Sequence, residues 1–559
     1  MRKVNGWRFY FLLSLLLIAV GGLIWRIVDL GILKRNFLIN QSNARSIRDI
    51  PIPAHRGIIV DRNHEPLAVS AEVVAVCIDP RIFSATPEEL QQLAEILTLD
   101  EKELSSKIIV AQKKPHDFLY LKRHLAPAIG EGVEKLKIKG VFLQKEYQRY
   151  YPEGEVTVHP LGFTNLDDRG QEGLELAYDS WLRGVPGKMR VVKDRAGNII
   201  ENLGVLVPPQ PGHNLAVSID RRIQYIAYSE LKNAIAETQA DSGSIVVLAV
   251  KTGEVLAAVN YPSCNPNERV SLNPTCYRNR VVTDVLEPGS TIKPFSIVNA
   301  LESGKYFPHT FVDTNPGWFK VDKKHVIYDD KHINNGVLDV TGVLRKSSDI
   351  GVAKITLSLP PSKLLNVLQR VGFGQTTLSG FPGEAKGVMP NHLEWRPFVL
   401  ATLSFGYSIS VTPLQLACAY AVLASQGLLR PISFVKVEST EVPGKQVISK
   451  EVAAQVLAML ETVVESGTGK RAQVAGYKIG GKTGTAHVAI PHGYAADKYW
   501  SLFAGIAPLS DPQLVAVVVI KDAHGQYRGG LVAAPVFANV INRSLRVLNV
   551  PPDDLNGSE

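Results

Sequence analysis

Apolar positions in this chain follow three rhythms, and each predicts a different element. From Phe9 to Trp25 no residue is charged, and Ile27 and Val28 extend the run if Arg26 snorkels. One membrane-spanning helix is expected over residues 9–28. Arg2, Lys3 and Arg8 precede it and orient the N-terminus toward the cytoplasm. No small-x-small cleavage site follows, and Ala19-Val20-Gly21 falls inside the run, so the segment reads as an uncleaved anchor. A helical rhythm then places Leu90, Leu93, Ala94 and Leu97 on one face of a helix over 86–97. Thr86 is its expected N-cap, Pro87 its first residue, and Glu88 and Glu89 suit its positive end. Asp100 caps a second helix reaching Ala111, and a third spans 126–136. Residues 34–40 continue the membrane helix, 56–64 form a hairpin, and 115–122 are a linker and strand.

Pro208-Pro209-Gln210-Pro211-Gly212 marks a boundary by its density of structure breakers. Beyond it, a long amphipathic helix is predicted over Arg221 to Thr238. Strands follow at Ser244–Val250 and Glu254–Asn260, joined by Lys251-Thr252-Gly253. Two more strands, Ser501–Ala507 and Leu514–Lys521, come near the end, with a closing helix over Pro535–Leu545. Strands at both ends with helices between predict one α+β domain whose sheet is built from both ends. The expected division is a cytoplasmic tail (1–8), an anchor (9–28), an N-terminal domain (29–212), the α+β domain (213–548) and a flexible acidic tail (549–559).

Charge changes this picture little. The net charge is +8 over 559 residues, but acidic and basic residues are interleaved and no nucleic-acid motif appears. Four cysteines are present. Cys77 and Cys418 lie in apolar runs and read as buried thiols, whereas Cys264 and Cys276 flank a polar loop and are a disulfide or two free thiols. His325, Asp329 and His332 form a loose polar cluster that reads as solvated loop, so no metal and no cofactor is expected.

The candidate chemistry begins at Glu287-Pro288-Gly289-Ser290-Thr291-Ile292-Lys293. A serine and a lysine three residues apart on a helix share one face, which brings an amine within reach of a hydroxyl. A neutral amine there makes the serine a nucleophile. Ser347-Ser348-Asp349 and Lys482-Thr483-Gly484-Thr485 follow. Taken singly, the first is a solvated helix start, the second a helix N-cap and the third a hairpin turn. In this order, the trio is that of penicillin-binding proteins and serine β-lactamases.

With these motifs, the chain resembles class B penicillin-binding proteins of the septal, cell-division type. The resemblance extends through Arg56-Gly57-x-Ile59-x-Asp61-Arg62, Gly162-Phe163-Thr164-Asn165, Glu172-Gly173, Phe405-Gly406-Tyr407, Val411-Thr412-Pro413, Tyr527-Arg528-Gly529-Gly530 and Ala534-Pro535-Val536-Phe537. It implies a transpeptidase domain with an antiparallel sheet flanked by helices, preceded by an elongated N-terminal pedestal and one transmembrane helix. It also implies a single-pass protein of the inner membrane with its catalytic domain in the periplasm.

The implied reaction is a two-step acyl transfer. Ser290 attacks the carbonyl between the terminal D-alanines of a peptidoglycan stem peptide, D-alanine leaves, and an amine of a second stem attacks the acyl-enzyme. A β-lactam is trapped at the first step. Lys293 is the candidate base, freed of its proton by the charge of Lys482, and Ser347 relays a proton to the leaving amine. Lys482, Thr483 and Thr485 hold the substrate carboxylate, Gly484 admits an extended peptide, and the amides of Ser290 and Thr485 form the oxyanion hole. The implied partners are a membrane glycan polymerase and other divisome proteins.

Asp349 departs from the septal pattern, which has asparagine. An ionised carboxylate offers no amide donor and favours a protonated Lys293. Elongation-type relatives carry aspartate here, so an elongation-type enzyme or a weakly active divisome scaffold is the alternative. A D,D-carboxypeptidase or β-lactamase shares the first step but needs neither the anchor nor the long N-terminal region. A β-lactam sensor would carry further spans.

Overall fold

The computed structural model describes residues 6–113, 118–194, 199–268, 274–390, 396–491 and 493–554. The charges of Arg2 and Lys3, part of the 115–122 linker, the middle of the Cys264–Cys276 loop and the end of the acidic tail lie outside the described residues. The chain divides into two compact units, one of residues 1–55, 71–148 and 184–212, the other of 56–70, 149–183 and 213–559.

The second unit carries a five-stranded antiparallel sheet. Its strands are β1 (Ser242–Ala249), β2 (Val255–Tyr261), β3 (Gly480–Ile490), β4 (Gly493–Ala507) and β5 (Leu514–Lys521), in spatial order β2-β1-β5-β4-β3. Both faces are covered, so successive residues of β1 enter different cores. Val246 and Leu248 pack on one side, Ile245 and Val247 on the other. In chain order, the helices around the sheet include α1 (Arg221–Thr238), α2 (Lys293–Glu302), α3 (Val340–Lys346), α4 (Asp349–Leu357), α5 (Pro413–Ala424), α6 (Lys450–Glu465) and α7 (Gly529–Val547). Ile223, Ala227 and Leu231 of α1 share a core with Phe537, Val540 and Ile541 of α7. Leu414, Leu416 and Ala417 of α5 join the opposite core.

α1 has its predicted bounds, with the Asp220 carboxylate accepting from the Arg222 amide as N-cap. β4 begins eight residues earlier than predicted, because its first half is largely exposed and its apolar residues do not alternate cleanly with polar ones. α7 begins six residues before Pro535, which lies inside it. The start was hidden by Gly529-Gly530, whose smallness serves close packing: a Cβ on Gly529 would stand 2.2 Å from the carbonyl oxygens of both Gly484 and Leu502.

The N-terminal pieces of this unit are held by buried charge. Arg56 donates to Glu175 Oε2 at 2.8 Å and to Asp179 at 2.7 Å, and Arg149 donates to Glu175 Oε1 at 2.6 Å. These interactions give the Arg56-Gly57 and Glu172-Gly173 segments a structural reason.

In the first unit, helices Pro87–Leu97, Glu101–Lys113 and Pro127–Lys135 enclose a core of Val76, Ile78, Leu93, Leu97, Leu104, Leu121 and Leu125. Thr86 and Glu89 form a reciprocal capping box, and Asp100 caps the next helix through the Glu103 amide. A separate antiparallel sheet has the order Ile47–Ile52, Gly187–Lys193, Ile199–Val207. Ahead of it, Gly6–Val28 is the one helix among the described residues long and apolar enough to cross a membrane. At 1.5 Å per residue it spans about 34 Å, enough for a hydrocarbon core. It continues through a π-helical turn, Asp29–Leu33, into the helix Arg35–Ser46.

Candidate active site

Ser290 lies in a tight turn rather than inside a helix. Gly289–Ile292 is one 3₁₀ turn, and α2 starts at Lys293. Gly289 has φ +51°, a left-handed conformation that favours glycine. The turn is clamped from below, since Thr291 donates to the Pro288 carbonyl at 2.6 Å and buried Tyr420 donates to the Thr291 carbonyl at 2.8 Å. Ser290 is the half-buried residue among buried neighbours Gly289, Thr291 and Ile292.

Edge strand β3 runs against this turn. A Cβ on Gly484 would lie 2.8 Å from Thr291 Cγ2 and 2.9 Å from the Pro288 carbonyl oxygen, and a Cβ on Gly289 would lie 3.1 Å from that of Thr485. β3 pairs only with β4 in the sheet order, so its outer side is an edge on which an extended peptide can add.

The third element is the junction of α3 and α4. Ser347 takes φ +61°, ending α3 in a left-handed residue, and Ser348 N-caps α4 through the Gly351 amide at 2.9 Å. The cap reading is therefore right for Ser348. It leaves Ser347 and Asp349 free to face the lysines. Lys293 Nζ lies 2.6 Å from Asp349 Oδ1, 2.5 Å from the Ser347 carbonyl oxygen and 3.2 Å from Ser347 Oγ. Lys482 Nζ reaches the same Ser347 Oγ at 2.9 Å, the Thr483 carbonyl at 3.1 Å and Thr483 Oγ1 at 3.2 Å. Thr483 Oγ1 also bonds Thr468 Oγ1 at 2.8 Å, and Thr485 Oγ1 accepts from the Gly529 amide at 3.1 Å.

Ser347, Asp349, Lys293 and Lys482 thus meet in one cluster, and Ser290, Thr483, Gly484 and Thr485 border it. Burial, then the charge of Lys293, push the Lys482 ammonium well below its usual range, with Asp349 opposing. Burial likewise raises the Asp349 carboxyl, against the pull of Lys293.

Asp329 is a residue whose role the sequence did not reveal. Rather than joining a solvated cluster with His325 and His332, it is buried and accepts from Ser348 Oγ at 2.8 Å, the Ile350 amide at 3.0 Å and Asn335 at 2.6 Å. It braces the turn that presents Ser347. His325 instead bonds Asp322 and stacks on Phe398, with ring centroids 4.0 Å apart. The described residues contain no group of side chains suited to a metal ion. Cys264 and Cys276 are joined in a disulfide, and Cys77 and Cys418 are buried thiols.

Residues 243–542 match the penicillin binding protein transpeptidase domain, and residues 51–217 the penicillin-binding protein dimerisation domain. A probable peptidoglycan D,D-transpeptidase, PbpC, of Pseudomonas aeruginosa is 43% identical over 557 residues, covering 99% of this chain and 97% of the relative. The peptidoglycan D,D-transpeptidase FtsI of Escherichia coli K12 is 41% identical, covering 98% and 93%. Among solved structures, the transpeptidase domain of Burkholderia pseudomallei penicillin-binding protein 3 is 41% identical with a TM-score of 0.55, covering 60% of this chain and 97% of that one. Penicillin-binding protein 3 of Mycobacterium tuberculosis is 27% identical with a TM-score of 0.68, covering 90% and 98%. With both domains matched and near full-length relatives at this identity, the chain belongs to the class B penicillin-binding proteins.

Proposed function

We propose that this protein is a serine-type peptidoglycan D,D-transpeptidase that cross-links stem peptides during septal wall synthesis and is acylated by β-lactams. The observation that carries the reading is the meeting of Lys293, Ser347 and Lys482 beside the Ser290 turn, along a sheet edge open to an extended peptide. Ser290 is the nucleophile, Ser347 the hydroxyl that passes protons, and Thr483 and Thr485 hold the substrate carboxylate. Catalysis belongs to residues 213–548, and residues 29–212 form the pedestal. The Gly6–Val28 helix anchors the chain in the inner membrane with the N-terminus cytoplasmic. That helix and residues 34–202 are the surfaces for a membrane glycan polymerase and other divisome proteins.

The test is labelling of the full-length chain in detergent with a fluorescent penicillin. A stable adduct on Ser290, located by mass spectrometry and absent from Ser290→Ala, is expected. Rapid loss of the label would instead indicate a hydrolase. The Lys293–Asp349 pair favours a second reading, an elongation-type class B enzyme. Sidewall rather than midcell localisation of a fluorescent fusion, with rod shape rather than division lost on depletion, would select it.

A further inference from the structure

An ion pair joins the two walls of the peptide groove. One wall is the α3–α4 junction, which presents Ser347, and the other is edge strand β3. Asp330 belongs to the first wall, because it follows Asp329, whose carboxylate accepts from Ser348 Oγ and the Ile350 amide. Arg528 belongs to the second. Its neighbour Gly529 donates its amide to Thr485 Oγ1 at 3.1 Å and lies too close to the Gly484 and Leu502 carbonyls to carry a Cβ. Its other neighbour, Tyr527, stacks on Tyr499 of β4 with ring centroids 4.0 Å apart, and the Tyr527 carbonyl accepts from the Ser501 hydroxyl. The Arg528 side chain therefore leaves a backbone pinned on both sides. Its guanidinium crosses to Asp330 and meets it with two nitrogens on two oxygens, Nη1 to Oδ2 at 2.9 Å and Nη2 to Oδ1 at 3.0 Å.

This pair is exact in shape and weak in strength. The Asp330 side chain is 70% exposed and that of Arg528 32%. Exposed pairs gain little net free energy and are screened by salt. A guanidinium fork that fits one carboxylate fits another equally well. Asp330 is thus a replaceable occupant of Arg528. The fork stands one residue from the Gly529–Thr485 contact, next to the hydroxyl that holds the substrate's terminal carboxylate in the reading above.

Resting on that transpeptidase reading, we propose that Arg528 is the receptor for a second carboxylate of the incoming stem peptide, upstream of its terminal D-alanines, and that Asp330 straps Arg528 across the groove until that carboxylate takes its place. The exchange is non-covalent and swaps one anion for another on the same fork. Releasing Asp330 costs little, because its carboxylate already faces water. The strap selects by charge. A neutral ligand must either displace the pair without compensation or fit beneath it, whereas an anionic one recovers both hydrogen bonds.

The probes are benzylpenicillin and carbenicillin, which differ by one carboxylate on the side chain. A β-lactam takes the place of the D-alanyl-D-alanine end, so its side chain stands where the upstream stem would. The readout is the ratio of the two second-order acylation rates at Ser290, carbenicillin over benzylpenicillin, for full-length protein in detergent at low salt. A variant that merely loosens the fold slows both drugs and leaves the ratio alone. Asp330→Asn frees the guanidinium, and the ratio should rise about threefold over native, a change on the scale of an exposed ion pair. Arg528→Gln should lower it about threefold below native, Arg528→Lys less, and the double variant Asp330→Asn/Arg528→Gln should match Arg528→Gln. Added salt should bring the ratios together. Equal ratios in native protein, Asp330→Asn and Arg528→Gln would overturn the proposal and leave the pair a surface contact, and so would a ratio that rises in Arg528→Gln. Failure of either drug to form a Ser290 adduct in the native protein would remove the transpeptidase reading as well.

Discussion

The guanidinium of Arg149 lies 2.6 Å from Oε1 of Glu175, and neither side chain is exposed to solvent. Arg56, also buried, grips the other oxygen of the same carboxylate at 2.7 Å. One anion thus serves two cations from distant segments. Each partner is costly to bury alone, so deleting the shared one strands Arg149 and leaves Arg56 with Asp179 as its one carboxylate. Glu175→Ala should lower unfolding free energy by about 3–5 kcal/mol. Denaturant titration of the full-length protein in detergent checks this, and a loss under 1 kcal/mol would mean the network is worth no more than surface pairs.

Contact between strand β3 and the serine turn predicts a catalytic defect without unfolding. A methyl at Gly484 would meet Thr291 and the Pro288 carbonyl at under 3 Å. Strand or turn must give way, shifting Ser290 relative to Thr485. Misplacement on the scale of 1 Å costs about 100-fold in well-organised sites. Gly484→Ala should therefore slow penicillin acylation about 100-fold while leaving the far-ultraviolet circular dichroism unchanged.

The Cys264–Cys276 disulfide closes a loop with a sequence separation of 12. Loop-closure entropy for that length gives about 3 kcal/mol. The double variant Cys264→Ser/Cys276→Ser should be destabilised by about that amount in thermal melts, and dithiothreitol should weaken the native protein but not the variant.

Acid sensitivity has an identifiable source. His159 is buried, and burial, then the charge of Arg280, lower its pKa to about 3. Its Nε2 lies 3.0 Å from the Cys276 carbonyl, to which the neutral ring donates. The folded pKa is below the unfolded one, so between about 6.5 and 3 the unfolded chain binds more protons. Stability should then fall with pH by about 1.4 kcal/mol per unit. Asp168 acts in the opposite sense, because burial raises its pKa to about 6 and the folded state takes up its proton first. In Asp168→Asn the acid slope should steepen between pH 6 and 4, and adding His159→Gln should flatten it. Melting temperatures across that range provide the measurement.

Much of this was legible in the chain. The 3.6-residue rhythm of Arg221 to Thr238 and the β-branched run of Leu514 to Lys521 declare themselves, because packing against a sheet demands those periods. The motif trio was legible for a different reason: acyl transfer needs particular functional groups, and few substitutes exist. What stayed hidden depended on three dimensions. The first half of β4 is largely exposed and lacks a clean two-residue alternation, and the start of α7 is masked by glycines that serve contacts with β3 and β4. Asp329 reads as an ordinary loop carboxylate until Ser348 and Ile350 are seen to converge on it. That Asp349 lies 2.6 Å from Lys293, and that burial lowers the Lys482 ammonium, has no local signature either.

The sheet order has a consequence for biogenesis. β1 lies between β2 and β5, and β5 and β4 are what connect it to β3. Ser290 emerges from the ribosome long before strand β3, which runs against its turn. A nascent chain halted anywhere before Lys521 lacks the middle of its own platform. The enzyme is therefore born inert and gains the power to join wall peptides only when its last stretch has threaded between segments made earlier.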